Sequence, residues 1–160
     1  MMELRRRTLD QIRVGEKLPD LSIPVTATSV VLGALASRDW RPMHHDKDFA
    51  QQRNGVRHIF VNTPHNAAYF ERYITDWTGP YGRLGRIQFR MKDSVFPGDT
   101  MVFRGEVYQV ETDDLGCGWV ELDLSLEVEG RTTTSCKARV AVPVDENDNP
   151  WKRTGKAWKP

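Results

Sequence analysis

The stretch Asn62-Thr63-Pro64-His65-Asn66-Ala67-Ala68-Tyr69-Phe70-Glu71-Arg72-Tyr73-Ile74-Thr75-Asp76-Trp77-Thr78-Gly79-Pro80 decides how this chain folds. Asn62 or Thr63 can accept a hydrogen bond from the free N–H groups that open a helix. Pro64 suits the first turn, where its missing N–H costs nothing. Apolar residues recur at Ala67, Phe70, Ile74 and Trp77, a three-four-three spacing that makes one buried stripe. Gly79-Pro80 ends it. Beyond that point the period changes from 3.6 to 2. Ile87, Phe89 and Met91 alternate with Arg86, Gln88, Arg90 and Lys92. Val120, Leu122, Leu124, Leu126 and Val128 alternate with Glu121, Asp123, Ser125 and Glu127. Phe103 to Val110 and Ser135 to Val142 read as two more strands, the first led in by Pro97-Gly98-Asp99. One long helix followed by antiparallel strands with one wet face is an α+β plan, a sheet half-covered by a single helix.

Upstream, Leu18 to Thr28 carries proline among alternating apolar residues and reads as a short edge strand. Thr28 or Ser29 then caps a short helix through Val30, Val31, Ala34 and Leu35 that ends near Arg38. Asp46 to Gln52 has the pattern of a helical turn. Downstream, Glu129-Gly130 reads as a hairpin turn, which sets Cys136 opposite roughly Asp123. Cys117 then lies about six residues, or roughly 20 Å, further along the strand, far beyond disulfide reach. Both cysteines read as plain thiols. The domain is expected to occupy residues 1–144, with residues 145–160 a polar tail. Its Trp151 and Trp158 read as either disordered or docked on a partner, with docking the favoured reading because isolated tryptophans rarely stay exposed without use.

Composition narrows the function. A chain of 160 residues is about one domain, large enough for a core without metals or disulfides. Lys+Arg 23 against Asp+Glu 22 gives a net charge of +1, so no global field draws it to nucleic acid or to a membrane surface. The basic run Arg5-Arg6-Arg7 is followed by polar Thr8-Leu9-Asp10-Gln11 rather than by an apolar stretch, so neither a signal peptide nor a membrane span is expected. The chain reads as cytoplasmic.

Chemistry concentrates in Asp39-Trp40-Arg41-Pro42-Met43-His44-His45-Asp46. Pro42 bars regular helix here, so Asp39 and His44 can converge on one small volume. A carboxylate and an imidazole around one water make a general acid/base pair. A metal reading would draw on Asp39, His44, His45, Asp46, His58 and His65, but the chain lacks the His-x-x-x-His spacing of a helical zinc site. Adjacent side chains diverge, so His45 is read as structural.

These residues resemble the MaoC-like, (R)-specific enoyl-CoA hydratase family, whose motif runs Asp, a residue, Asn-Pro, a residue, His, then Asp two positions on. Asp39, Pro42, His44 and Asp46 match it, while Arg41 stands where the family has Asn. Val14-Gly15-Glu16-Lys17-Leu18-Pro19 and Pro97-Gly98-Asp99-Thr100 are also family-like, so the resemblance runs from about Val14 to Val142. Arg38-Asp39, His44-His45-Asp46, Ile59-Phe60-Val61-Asn62 and Arg72 to Pro80 are similar to the small MaoC-like subunit of actinobacterial steroid side-chain hydratases. The resemblance implies a hot-dog fold, an acyl-CoA substrate with a bulky steroid side chain, and no cofactor. It also implies a homodimer or a heteromer with a second hot-dog subunit.

Within that expectation Asp39 and His44 are catalytic. The helix start at Asn62 and Thr63 faces the thioester oxygen, where negative charge develops. Arg83, Arg86, Arg90 and Lys92, with Arg86 and Arg90 foremost, are candidates for contacts with the coenzyme A phosphates, although alternating basic residues also serve as a strand's wet face. Two rival functions stay open. One is a hot-dog thioesterase, for which Glu71 and Asp76 are the acids on the long helix. The other is a non-catalytic scaffold subunit.

Overall fold

The structure, a computed structural model, describes residues 6–160. Arg5 of the basic run lies outside the described residues. A five-stranded antiparallel sheet, in the order β1-β3-β4-β5-β2, wraps one long helix. Its strands are β1 (Lys17–Pro24), β2 (Arg83–Met91), β3 (Thr100–Thr112), β4 (Gly118–Val128) and β5 (Arg131–Val142). The helices are α1 (Ala27–Ala36), α2 (Lys47–Asn54) and α3 (Thr63–Thr78). This is the α+β hot-dog arrangement. Among the described residues no helix is long and apolar enough to cross a membrane.

α3 starts and stops where its punctuation says. The Asn62 side chain accepts from the His65 N–H, and Gly79 ends the helix at φ 75°. Its buried face comprises Asn66, Phe70, Tyr73, Ile74 and Thr78. Ala67 and Trp77 flank that stripe rather than fill it, because polar Asn66 and Thr78 share the inner face at 3.6 residues per turn. Phe70 meets Phe103 of β3 edge-on at 5.1 Å and stacks with Phe89 of β2 at 6.2 Å.

Two local readings shift. α1 is capped by Thr26, two residues before the expected Thr28. Thr26 and Ser29 exchange backbone-to-side-chain hydrogen bonds at 3.0 Å in each direction, a reciprocal box that neither Thr28 nor Ser29 alone could form. In the β4–β5 hairpin Glu129 and Gly130 both take positive φ, 51° and 74°, as a two-residue I′ turn requires. Cys136 nevertheless lies opposite Leu124, not Asp123. An extra residue, Thr133, sits in a bulge where the register shifts beside Leu126, and everything beyond it slides by one. Both cysteines are free and buried, and burial pushes the Cys136 thiol up to about 12.

The tail docks on its own sheet. The Trp158 ring lies 5.0 Å from that of Trp119, and the Arg83 guanidinium sits 3.7 Å from the Trp158 ring and 5.5 Å from Trp151. Arg83 also donates to the carbonyls of Pro150 and Arg153. The outer face of β4 is therefore not wet along its whole length, since Trp119 and Glu121 are buried there. β1 is an edge strand, as read, but carries Pro19 and Pro24 and loses register between Leu18 and Leu21. β2 forms the opposite edge and contains no proline.

Candidate active site

α1 ends in a left-handed turn that delivers Asp39. Arg38 adopts φ 54°, and the Asp39 N–H closes back on the Ala34 carbonyl at 2.9 Å, the six-to-one bond of a Schellman cap. Five residues on, Pro42–His44 forms a 3-10 turn that buries His44. The turn brings His44 Nε2 to 3.5 Å from Asp39 Oδ2. His44 Nδ1 lies 2.8 Å from the Phe60 carbonyl oxygen. A carbonyl can only accept, so Nδ1 carries a proton and Nε2 is the nitrogen turned toward Asp39. Phe60 also meets the imidazole edge-on, 4.8 Å between centroids, which fixes the ring plane.

Asn62 holds the carboxylate from the other side. Its Nδ2 donates to Asp39 Oδ2 at 3.0 Å and to Ser37 Oγ at 2.8 Å. Its Oδ1 accepts the His65 N–H at 3.1 Å. Burial pushes the Asp39 carboxyl up. Donation from Asn62 and from the Arg41 N–H, together with the charges of His44 and Arg41, outweighs that and holds the carboxyl below the ordinary carboxylate range. Among the described residues the backbone N–H groups of Asn62 and Thr63 find no acceptor, and they stand at the positive end of α3. An open groove of about 500 Å³ leads away between α1 and α3, lined by Leu32, Gly33, Ala36, Ser37, Pro64 and Ala68 among others. Leu32, in that lining, is exposed, as are Leu35 on α1 and Trp40 next to Asp39 in the chain.

Residues 11–123 match the MaoC like domain. The chain belongs to the MaoC-like hydratase family. The beta subunit of 3-oxo-4,17-pregnadiene-20-carboxyl-CoA hydratase from Mycobacterium tuberculosis is 34% identical over 136 residues, covering 85% of this chain and 98% of that one. The ChsH1–ChsH2 complex of the same organism superposes with a TM-score of 0.75 at 30% identity, over 81% of this chain and 98% of that chain. The fold is shared with the (R)-hydratase of A. caviae involved in PHA biosynthesis, at TM-score 0.73 and 24% identity over 82% and 98% of the two chains.

In this MaoC-like chain, then, the loop residues Asp39 and His44 converge with Asn62 and the first N–H groups of α3. The basic residues do not join them. Ile87 and Phe89 pack inward on the core, so Arg86 and Arg90 point from the opposite face of β2. Arg86 leans toward Glu121 at 4.0 Å, and Arg83 is held by the tail. Glu71 and Asp76 are exposed on the outer side of α3, where Asp76 pairs with Arg72 at 3.3 Å. His45 is exposed. Among the described residues no three His, Cys, Asp or Glu side chains gather as a metal site. Sequence reading missed two members of the site, Ser37 and the Phe60 carbonyl. Ser37 could be suspected only as a polar residue closing an uncharged helix, and a carbonyl leaves no mark in a sequence.

Proposed function

We propose that this chain is the acid/base subunit of an enoyl-CoA hydratase, adding water to a trans-2-enoyl-CoA and, in reverse, dehydrating the 3-hydroxyacyl-CoA. The observation that carries the reading is the 3.5 Å gap between Asp39 Oδ2 and His44 Nε2. It is too long for a direct hydrogen bond and suits two groups that share one water. In the proposed step Asp39 takes a proton as the water oxygen bonds to C3. The electrons of the double bond pass to C2, which receives a proton from His44 Nε2. The proton on Asp39 then crosses to His44 and restores both groups. The cycle closes on these two side chains and calls for no cofactor. Charge building on the thioester oxygen is met by the N–H groups of Thr63 and Asn62.

A steroid side-chain acyl group is the proposed substrate. Similarity to the M. tuberculosis subunit supports this, as does the apolar groove between α1 and α3 that reaches Ser37. A second hot-dog subunit is the proposed partner, joined along the open edge of β2. The name of that relative, a beta subunit, and the two-component complex support it. Arg86 and Arg90, on that edge strand, are the proposed contacts for coenzyme A phosphates at the junction. The test is to incubate the chain, alone and co-expressed with a second hot-dog subunit, with short and steroid trans-2-enoyl-CoA thioesters. Loss of conjugation without thiol release, fastest for the steroid in the complex, is expected. Free thiol would establish a thioesterase instead, and no turnover by the intact complex would leave a scaffold.

A further inference from the structure

We propose that Ser37 is a positioning residue for the reaction at Asp39, its hydroxyl locking the Asn62 amide so that one N–H is always aimed at the carboxylate. The inference rests on the hydratase reading above but makes a separate claim. Ser37 is the C-cap of α1, and its Oγ lies 2.7 Å from the Gly33 carbonyl. A hydroxyl has one hydrogen, and both nearby carbonyls, Gly33 and, at 3.2 Å, Ala34, can only accept, so that hydrogen is committed to the last turn of α1. What Ser37 offers Asn62 is a lone pair, and Asn62 Nδ2 donates to it at 2.8 Å.

The amide is thereby fixed in one orientation. Its two N–H groups go to Ser37 Oγ and Asp39 Oδ2, and its oxygen accepts the His65 N–H. Turned over, the same amide would set its oxygen against the Asp39 carboxylate and against a Ser37 lone pair, with its N–H groups facing the His65 N–H. All three bonds would be lost at a residue only 2% exposed. The lock joins two helices. Gly33 of α1 lies against His65 of α3, where an added Cβ would fall 2.0 Å from the imidazole. Asp39 thus takes its position from both helix ends at once.

Removing the hydroxyl takes away the protein acceptor of one Asn62 N–H, so the amide is no longer held in one orientation and can rotate away from Asp39. The charged groups facing the Asp39 carboxylate are His44, at 3.5 Å on the 3-10 turn, and Arg41, whose Nε lies 4.0 Å away on the same loop. α1 and α3 contribute only neutral Ser37 and Asn62 to the carboxylate's surroundings. Weakened donation from Asn62 is therefore not replaced by another element.

The test compares Ser37→Ala with Ser37→Thr, which keeps the hydroxyl, in the full chain with its partner. For Ser37→Ala, kcat on a short trans-2-enoyl-CoA is expected to fall about tenfold or more, in line with weakening a hydrogen bond to a charged group, with KM within about twofold. The acid limb of the pH profile should move to higher pH, and Ser37→Thr should restore both. Carbon-13 NMR of the Asp39 carboxyl supplies a readout that needs no turnover, and its titration should shift upward in Ser37→Ala but not in Ser37→Thr. If Ser37→Ala only lowers the melting temperature, leaving kcat and the Asp39 titration unchanged, Ser37 is a helix cap and the proposal is overturned. If the titration shifts while wild type fails to hydrate, the lock stands and the hydratase reading falls.

Discussion

The inner and outer faces of this sheet carry two polar clusters built on opposite rules. On the outer face, Trp119, Trp158 and Trp151 interleave with Arg83 and Arg139, and Arg139 is in turn gripped by Glu121 and Glu111. Charge meets charge or ring, so the cluster closes on itself. Beside α3 the cluster of Ser37, Asn62, Asp39, His44 and Phe60 is just as tightly held, yet its two titratable members stop 3.5 Å apart. A closed cluster holds the chain together. One whose two titratable groups are not locked onto each other leaves both able to engage a third molecule.

The sharpest way to break this contrast is to remove a member of the gap. Asp39→Asn or His44→Ala should lower hydration on the order of 10²–10⁴-fold per folded molecule, far more than any loss of stability from the same change accounts for. Near-normal turnover by either variant would refute the assignment. The outer cluster should answer the other way. Trp158→Ala is expected to destabilise the fold by roughly 1–3 kcal/mol, read by denaturant unfolding, with kcat per folded molecule unchanged.

A pH series sharpens the same point. The Asp39 carboxyl is held below its unfolded value of about 3.9. Its contribution to stability is therefore complete above that value and lost as pH falls through the folded one. The stability gap between wild type and Asp39→Asn should accordingly narrow as pH drops below about 4. The smallest effect is expected at Arg38, a non-glycine residue at φ 54°. Arg38→Gly relieves a left-handed conformation that costs a β-carbon about 1–2 kcal/mol, less the extra freedom glycine gains when unfolded. The net gain should be about 1 kcal/mol or less, with Asp39 still delivered to its place.

What could be read from the sequence follows the reach of each interaction. Asn62, Pro64 and Gly79 act within a few residues of themselves, so α3 was legible almost to the residue. Asp39 and His44 lie close in sequence around a proline, and their convergence was legible too. The α1 cap was misplaced because Thr26, Thr28 and Ser29 are all competent caps, and only the reciprocal bonds choose among them. The hairpin register slipped because a bulge at Thr133 carries no strong residue signal. Ser37 reaches Asn62 across 25 positions and Trp158 reaches Trp119 across 39, separations at which no local pattern survives. Trp158 finds its cover on this chain's own Trp119 rather than on a partner, and Trp151 stays exposed.

The unequal edges of the sheet set a limit on growth. β1 is plugged, since Pro19 and Pro24 offer no N–H and its ladder breaks between Leu18 and Leu21. β2 runs from Arg83 to Met91 without a proline. A sheet with one plugged side and one free side can accept a single neighbour by strand addition and offers that neighbour no second seat. Strand addition confined to β2 would therefore end at a pair rather than a filament, a limit written into one strand rather than into the interface itself.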